Sequence, residues 1–117
     1  MRESFDAAAV ASVRDAELNV ADLVLAEHYE RTGRRLEIQR SLQFDEQDEA
    51  LGMDSYCLVT DGGTHYGGVL SWDIGGSTLR IELDTAAASA LGASEFRVAF
   101  PRSESATVEA MLWTLLS

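Results

Sequence analysis

The chain has 117 residues, 46% of them apolar, and twenty acids against nine bases give it a formal charge of −11. That length suits one domain, residues 1–117, whose core needs no disulfide or structural metal, since a fold of this size buries roughly two-thirds of the surface its unfolded chain exposes. All nine bases are arginine; a polyanion of this kind is repelled by nucleic acid and by anionic lipid, so neither is expected as a partner, whereas a basic protein is attracted.

The opening Met1-Arg2-Glu3-Ser4-Phe5-Asp6 lacks a basic stretch followed by an apolar run. No apolar segment is long enough to cross a bilayer, and the expectation is a cytoplasmic protein. The segment Phe5 to Val13 mixes alanines, which favour helix, with valines, which suit strand, and is read as a strand. Asn19 to Ala26 is a second strand, and His28 follows it in a polar loop. Leu36, Ile38, Leu42 and Phe44 share one parity of the run Arg35 to Phe44. Arg40 falls on that same parity, which implies a bulge or an edge position there.

Strand formers fill Asp54 to Thr60, and Cys57 reads as a small core hydrophobe with nothing electropositive beside it in sequence. Asp61-Gly62-Gly63 signals a turn, with His65 just beyond it. Tyr66 to Ile74 then alternates, placing Tyr66, Gly68, Leu70, Trp72 and Ile74 on one face. Gly75-Gly76-Ser77 makes the next turn, and Leu79, Ile81 and Leu83 alternate with Thr78, Arg80 and Glu82. These three runs are expected to form an antiparallel meander, because parallel pairing needs long crossovers. Gly67-Gly68, inside the middle run, marks either a bulge packed on the core or a flat spot for a partner.

Asp84 or Thr85 can cap a short helix through Ala90, with Leu91-Gly92 as its stop. Phe96, Val98 and Phe100 alternate as a further strand that Pro101 ends. Ser103 suits the N-cap of a last helix, on which Val108, Met111, Leu112 and Leu115 recur at helical spacing. The expected class is therefore α+β: a mainly antiparallel sheet of about six or seven strands, a short helix, and a C-terminal helix packed on one face.

The inventory for catalysis is thin. Two histidines, His28 and His65, are not paired with cysteine or each other at zinc spacing, and no Gly-x-Ser-x-Gly elbow, Walker loop or dinucleotide fingerprint occurs. No cofactor and no metal are expected. The most distinctive segment runs from Phe44 to Tyr56 and holds Asp45, Glu46, Asp48, Glu49 and Asp54. Its spacing departs from an EF-hand loop. Its carboxylates are adjacent on one loop rather than set across a cleft, which weakens a glycosidase reading. Two readings stay open: a solvated loop, or a contact surface where a partner's Arg or Lys makes charge-assisted hydrogen bonds. Tyr56, Tyr66 and Trp72 are candidate aromatic anchors for such a contact, with core packing the stronger expectation for Trp72.

Gln39-Arg40-Ser41, then Phe44-Asp45-Glu46-Gln47-Asp48, then Leu51-Gly52-Met53-Asp54-Ser55-Tyr56, then Tyr66-Gly67-Gly68 stand in this order. In combination they resemble the immunity protein 10 family of bacterial polymorphic toxin systems, and the likeness extends from about Asn19 to Phe100. The resemblance implies a small cytoplasmic protein, made beside a toxin gene, that binds the cognate toxin's effector domain and blocks it without catalysis. On this reading Asp45, Glu46, Asp48, Glu49, Asp54, Tyr56 and Tyr66 are the candidate partner-binding residues. A toxin with a basic substrate groove, such as a nuclease, would suit an acidic inhibitor. The alternatives are an interaction module for another basic protein and a carboxylate-based hydrolase. An exposed sheet edge leaves homodimerisation open.

Overall fold

A computed structural model describes residues 1–30, 33–52 and 55–116. Its class is α+β, as the alternation patterns predict. Among the described residues nine strands divide into two sheets rather than one. The first sheet orders β1 (Arg2–Asp6), β9 (Glu95–Ala99), β8 (Thr78–Leu83) and β7 (Val69–Gly75). The second is a consecutive ladder of β2 (Ala9–Asp15), β3 (Val20–Ala26), β4 (Arg35–Ser41), β5 (Cys57–Thr60) and β6 (Gly63–Tyr66). All pairings are antiparallel except β1 with β9, which run parallel.

The run Phe5 to Val13 is two strands, not one. Ala7, 4% exposed, sits where the chain passes from the first sheet to the second, and its N–H still donates to the Ala99 carbonyl at 2.7 Å. The expected meander is broken in the same way at Gly67-Gly68. Tyr66 closes β6 in one sheet, Val69 opens β7 in the other, and the two glycines between them have φ of 71° and 98°. Only glycine takes such angles without steric cost, so the pair acts as the crossover rather than as a bulge. A register shift does occur nearby, between Val69 and Ser71, and it turns Leu70 out to solvent. The bulge considered at Arg40 is absent. The β3–β4 register runs straight through it, and β5 pairs with β4 only as far as Gln39, which leaves Arg40 with a strand on one side.

The inner faces of the two sheets meet in one apolar cluster. Phe5, Leu79, Ile81, Phe96 and Val98 come from the first sheet and Leu23, Leu25, Leu36, Ile38 and Leu58 from the second. The helix α2 (Thr85–Leu91) is built as its sequence predicts: the Asp84 carboxylate accepts from the Ala87 N–H at 2.8 Å, and Gly92 closes it at φ 81°. The last helix, α3 (Ser105–Leu115), buries Val108, Met111, Leu112 and Leu115 against the inner side of β2, β3 and β4. Ser103 does not cap it. Arg102–Glu104 forms a single 3-10 turn after Pro101, and the helix begins at Ser105, whose hydroxyl instead donates to the Gly76 carbonyl at 3.2 Å.

Candidate partner-binding surface

The acidic segment is not an open loop. Glu46–Ala50 forms a one-turn helix, α1, between β4 and β5. Asp45 is its N-cap: Asp45 Oδ1 accepts from the Asp48 N–H at 2.8 Å, and Asp48 Oδ2 accepts from the Asp45 N–H at 3.0 Å. This reciprocal box satisfies two backbone donors that a short helix would otherwise leave open, and the acids of its first turn face the positive end of the helix dipole. Two of the four carboxylates thus have a local structural reason to be where they are. Asp45, Glu46 and Glu49 point to solvent, whereas Asp48 is half-buried.

Asp48 leans over the outer face of the five-stranded sheet. There it borders an open cleft of about 230 Å³ with Gln39, Ser41, Ser55, Cys57 and Tyr66. Tyr66 is 40% exposed. Arg40 stands at the margin, its guanidinium 4.9 Å from the Phe44 ring centre and its Nε–H on the Ser41 carbonyl. Cys57 lies deep in the cleft wall, and burial pushes its thiol above the usual range, with Glu37 adding to the effect. A thiol in that environment stays protonated and is a poor nucleophile. Asp54 lies outside the described residues.

Tyr56 does not enter the cleft. It is half-buried against the core, its hydroxyl accepts from the Val69 N–H at 2.9 Å, and its carbonyl accepts from the Gly67 N–H at 2.9 Å. It secures the crossover between sheets. Trp72 packs against the core and meets Trp113 of α3 edge-on at 5.1 Å. Trp113 is 63% exposed; its position off the apolar stripe of α3 is the only sequence signal for it. His65 belongs to β6, half-buried, with Nδ1 3.2 Å from the Gly67 carbonyl, while His28 lies exposed in the loop expected for it.

Sequence patterning missed the outer face itself. Strand registers align its side chains in rows across all five strands. One row is Ala11, Val24, Glu37, Val59 and Thr64, and the next is Val13, Asp22, Gln39, Cys57 and Tyr66. A shorter third row holds Asp15, Val20 and Ser41. The clue lay in β3, where Val20, Val24 and Ala26 fall off the parity of Ala21, Leu23 and Leu25 and make both faces apolar. A fourth row of the same parity, Ala9, Ala26 and Arg35, completes the face, which thus carries Asp15, Asp22 and Glu37 together with Arg35, 3.9 Å from the Glu37 carboxylate.

The outer face of the four-stranded sheet differs. Arg80 reaches Asp73 at 3.1 Å and Glu95 at 3.2 Å and also pairs with Glu82. Arg97 and Arg2 bond Glu95 as well, at 2.7 and 3.5 Å. The Arg97 hydrogen bond, helped by the nearby positive charge of Arg80 and Arg2, holds the Glu95 carboxyl below the usual range. Three arginines are thus bonded to three carboxylates on that face, which Asp6, in register with Ala99, shares.

Among the described residues no group of three His, Cys, Asp or Glu side chains could hold a metal ion, and no helix is long and apolar enough to span a membrane. The arrangement is that of an α+β protein presenting an acidic open sheet face and a small one-turn helix beside it. The immunity protein 10 family model matches residues 6–108, and the chain belongs to that family, a family of immunity proteins of toxin systems. No curated protein and no solved structure gives a significant match.

Proposed function

We propose that this chain protects its cell by binding a cognate toxin's effector domain directly and blocking it, with no chemistry of its own. Family membership over residues 6–108 carries the reading. The surface supports it in kind. An inhibitor needs a rigid scaffold and a complementary face. Here residues 1–117 act as one cytoplasmic unit whose polar cleft is shallow and whose nearest nucleophile, Cys57, is a buried thiol with its pKa raised. The contact residues are Asp45, Glu46, Asp48 and Glu49 of the α1 region, Asp54, and Tyr66, with Tyr56 holding the segment in place. No cofactor takes part.

The charge of −11 favours a toxin whose working surface is basic. A nuclease groove, which must hold phosphate, is the leading candidate, because an acidic protein covering it replaces the nucleic acid electrostatically. Co-expression with the effector domain encoded beside this gene tests the proposal. Growth is restored and the two proteins co-purify as a one-to-one complex. A toxin that kills as efficiently with the protein present, and a pair that does not associate, would refute it. Turnover of a small substrate by the isolated chain, lost on changing one carboxylate of the acidic segment, would replace inhibition by hydrolysis.

A further inference from the structure

The two tryptophans of the chain have different fates. Trp72 of β7, the end strand of its sheet, is half-buried against the core, whereas Trp113, near the end of α3, is 63% exposed. A side chain of that size normally loses most of its surface on folding. Its ring meets Trp72 edge-on at 5.1 Å, so the indole is held in place while one side stays open to solvent. The exposed side of α3 continues the patch with Ala106 and Ala110, and the only charge on the helix is Glu109. At 3.6 residues per turn Glu109 and Trp113 stand about 40° apart around the helix and one turn apart along it. Among the described residues the Glu109 carboxylate has no ion-pair partner. Of the bases around α3, Arg14 and Arg40 border a cleft with Thr114, which stands about 140° from Glu109 around the helix. Arg80 is bonded to Asp73, Glu82 and Glu95, and Arg102 lies in the 3-10 turn that precedes the helix.

Resting on the inhibitory reading above, we infer that Trp113 and Glu109 form an anchor for the toxin, where an arginine of its surface lies flat on the indole and bonds the Glu109 carboxylate. A guanidinium suits the pair, because its plane stacks on an aromatic face while its N–H groups reach an acid beside it. Two features favour the toxin over a second copy of this chain. Copies that each carry −11 repel one another, whereas a basic protein is drawn in. The anchor is also continuous with the acidic segment. Thr114, next to Trp113 in sequence, shares a cleft of about 590 Å³ with Leu42 and Gln43, and Asp45, the N-cap of α1, follows two residues later. Asn19 fixes that link. Its φ is 55°, its side-chain amide donates to the Gln43 carbonyl at 2.9 Å, and its side-chain oxygen accepts from the Gln43 N–H at 2.8 Å. The lead into α1 is thus pinned beside the end of α3. A toxin seated on α1 reaches α3 across this cleft and meets a spacing already set, which lowers the ordering cost of binding.

The test uses the full chain and, as probe, the effector domain encoded beside its gene, with association and dissociation followed by biolayer interferometry. Trp113→Ala weakens the complex by at least about tenfold, chiefly through faster dissociation, and Glu109→Gln by about threefold or more. Trp113→Phe keeps a ring and recovers part of the loss. Asp6→Asn, on β1 at the opposite edge of the four-stranded sheet, stays within about twofold of the wild type. Circular dichroism melts confirm that every variant is folded. Fluorine NMR of the wild-type chain labelled with fluorotryptophan gives a second reading: the Trp113 resonance, assigned by its loss in Trp113→Phe, shifts or broadens when the effector domain is added. If the wild type binds while Trp113→Ala binds equally well and the resonance stays put, the anchor is wrong and inhibition stands. If the wild type does not bind at all, inhibition itself falls and takes the anchor with it. A chain that sediments alone as a dimer, and as a monomer after Trp113→Ala, would assign this face to a second copy and overturn the proposal.

Discussion

Gly68 shows how much one residue can decide. Its φ is 98°, and a Cβ there would lie 2.5 Å from the Ala87 Cβ of α2. The chain can cross between sheets at this point only while α2 presses against bare backbone. Gly68→Ala combines backbone strain with overpacking and is expected to cost about 2–4 kcal/mol, measured by urea unfolding against the wild type. Sequence reading found the glycine pair and its closeness to the core. It could not tell a bulge from a crossover, because both ask for the same residue, and only the partner strands of Tyr66 and Val69 separate them.

Glu27 carries a second residue-scale expectation. The Arg34 side chain bonds its carboxylate at 2.9 Å and the Arg34 N–H bonds it as well, and together they hold its pKa at about 2. The folded value lies below the ordinary one of 4.5. The contribution to stability is therefore complete above the ordinary value and fades as pH falls toward 2. The stability gap between wild type and Glu27→Gln should narrow steadily between pH 5 and pH 2 in denaturant titrations. A gap that widened on acidification would contradict the assignment. Arg34 also donates to the Ser4 carbonyl at 2.7 Å and lies over the Phe5 ring, so the same pair joins the β3–β4 turn to β1 of the other sheet.

Elements with one unambiguous period were legible from sequence. Leu79, Ile81 and Leu83 alternate and are buried; Val108, Met111, Leu112 and Leu115 recur at helical spacing and are buried. The α2 helix carried both of its signals, Asp84 at the start and Gly92 at the end. Asp84→Ala removes the acceptor for the Ala87 N–H and should cost about 1 kcal/mol, read as a shift in the unfolding midpoint with an unchanged denaturant slope. The start of α3 was misread, because Ser103 satisfies the capping preference while the tight turn after Pro101 delays the helix to Ser105. The acidic segment was misread for a related reason. Four carboxylates in five residues look like a solvated loop until two of them are seen to cap a helix.

At the scale of the molecule, composition sets the sign of the net charge but not where that charge is placed. The value of −11 is a sum, and it hides how the charges are set: on one outer face three arginines bond carboxylates, and on the other Asp15, Asp22 and Glu37 stand in rows with Arg35 beside Glu37. Locating that second face requires the strand registers, which join Val13 to Tyr66 across five strands separated by half the chain. Capture of a basic toxin by such a field should be rate-sensitive to salt. Raising ionic strength from 0.05 to 0.5 M is expected to slow association by about tenfold or more while dissociation changes little, as stopped-flow mixing would show. A salt-insensitive association rate would mean that shape alone guides the encounter.

The parallel pairing of β1 with β9 also bears on how the molecule is made. Arg2 aligns with Glu95 and Asp6 with Ala99, whereas each strand of the five-stranded ladder pairs with its immediate neighbour in sequence. Local hairpins close quickly and distant contacts wait on loop closure. The ladder bearing the acidic rows should therefore acquire amide protection first in pulse-labelled refolding, with β1 among the last segments to lock. The refolding chain would then possess its five-stranded ladder before its second layer is sealed, and the last act of folding would be the docking of β1 alongside β9, a strand roughly ninety residues away.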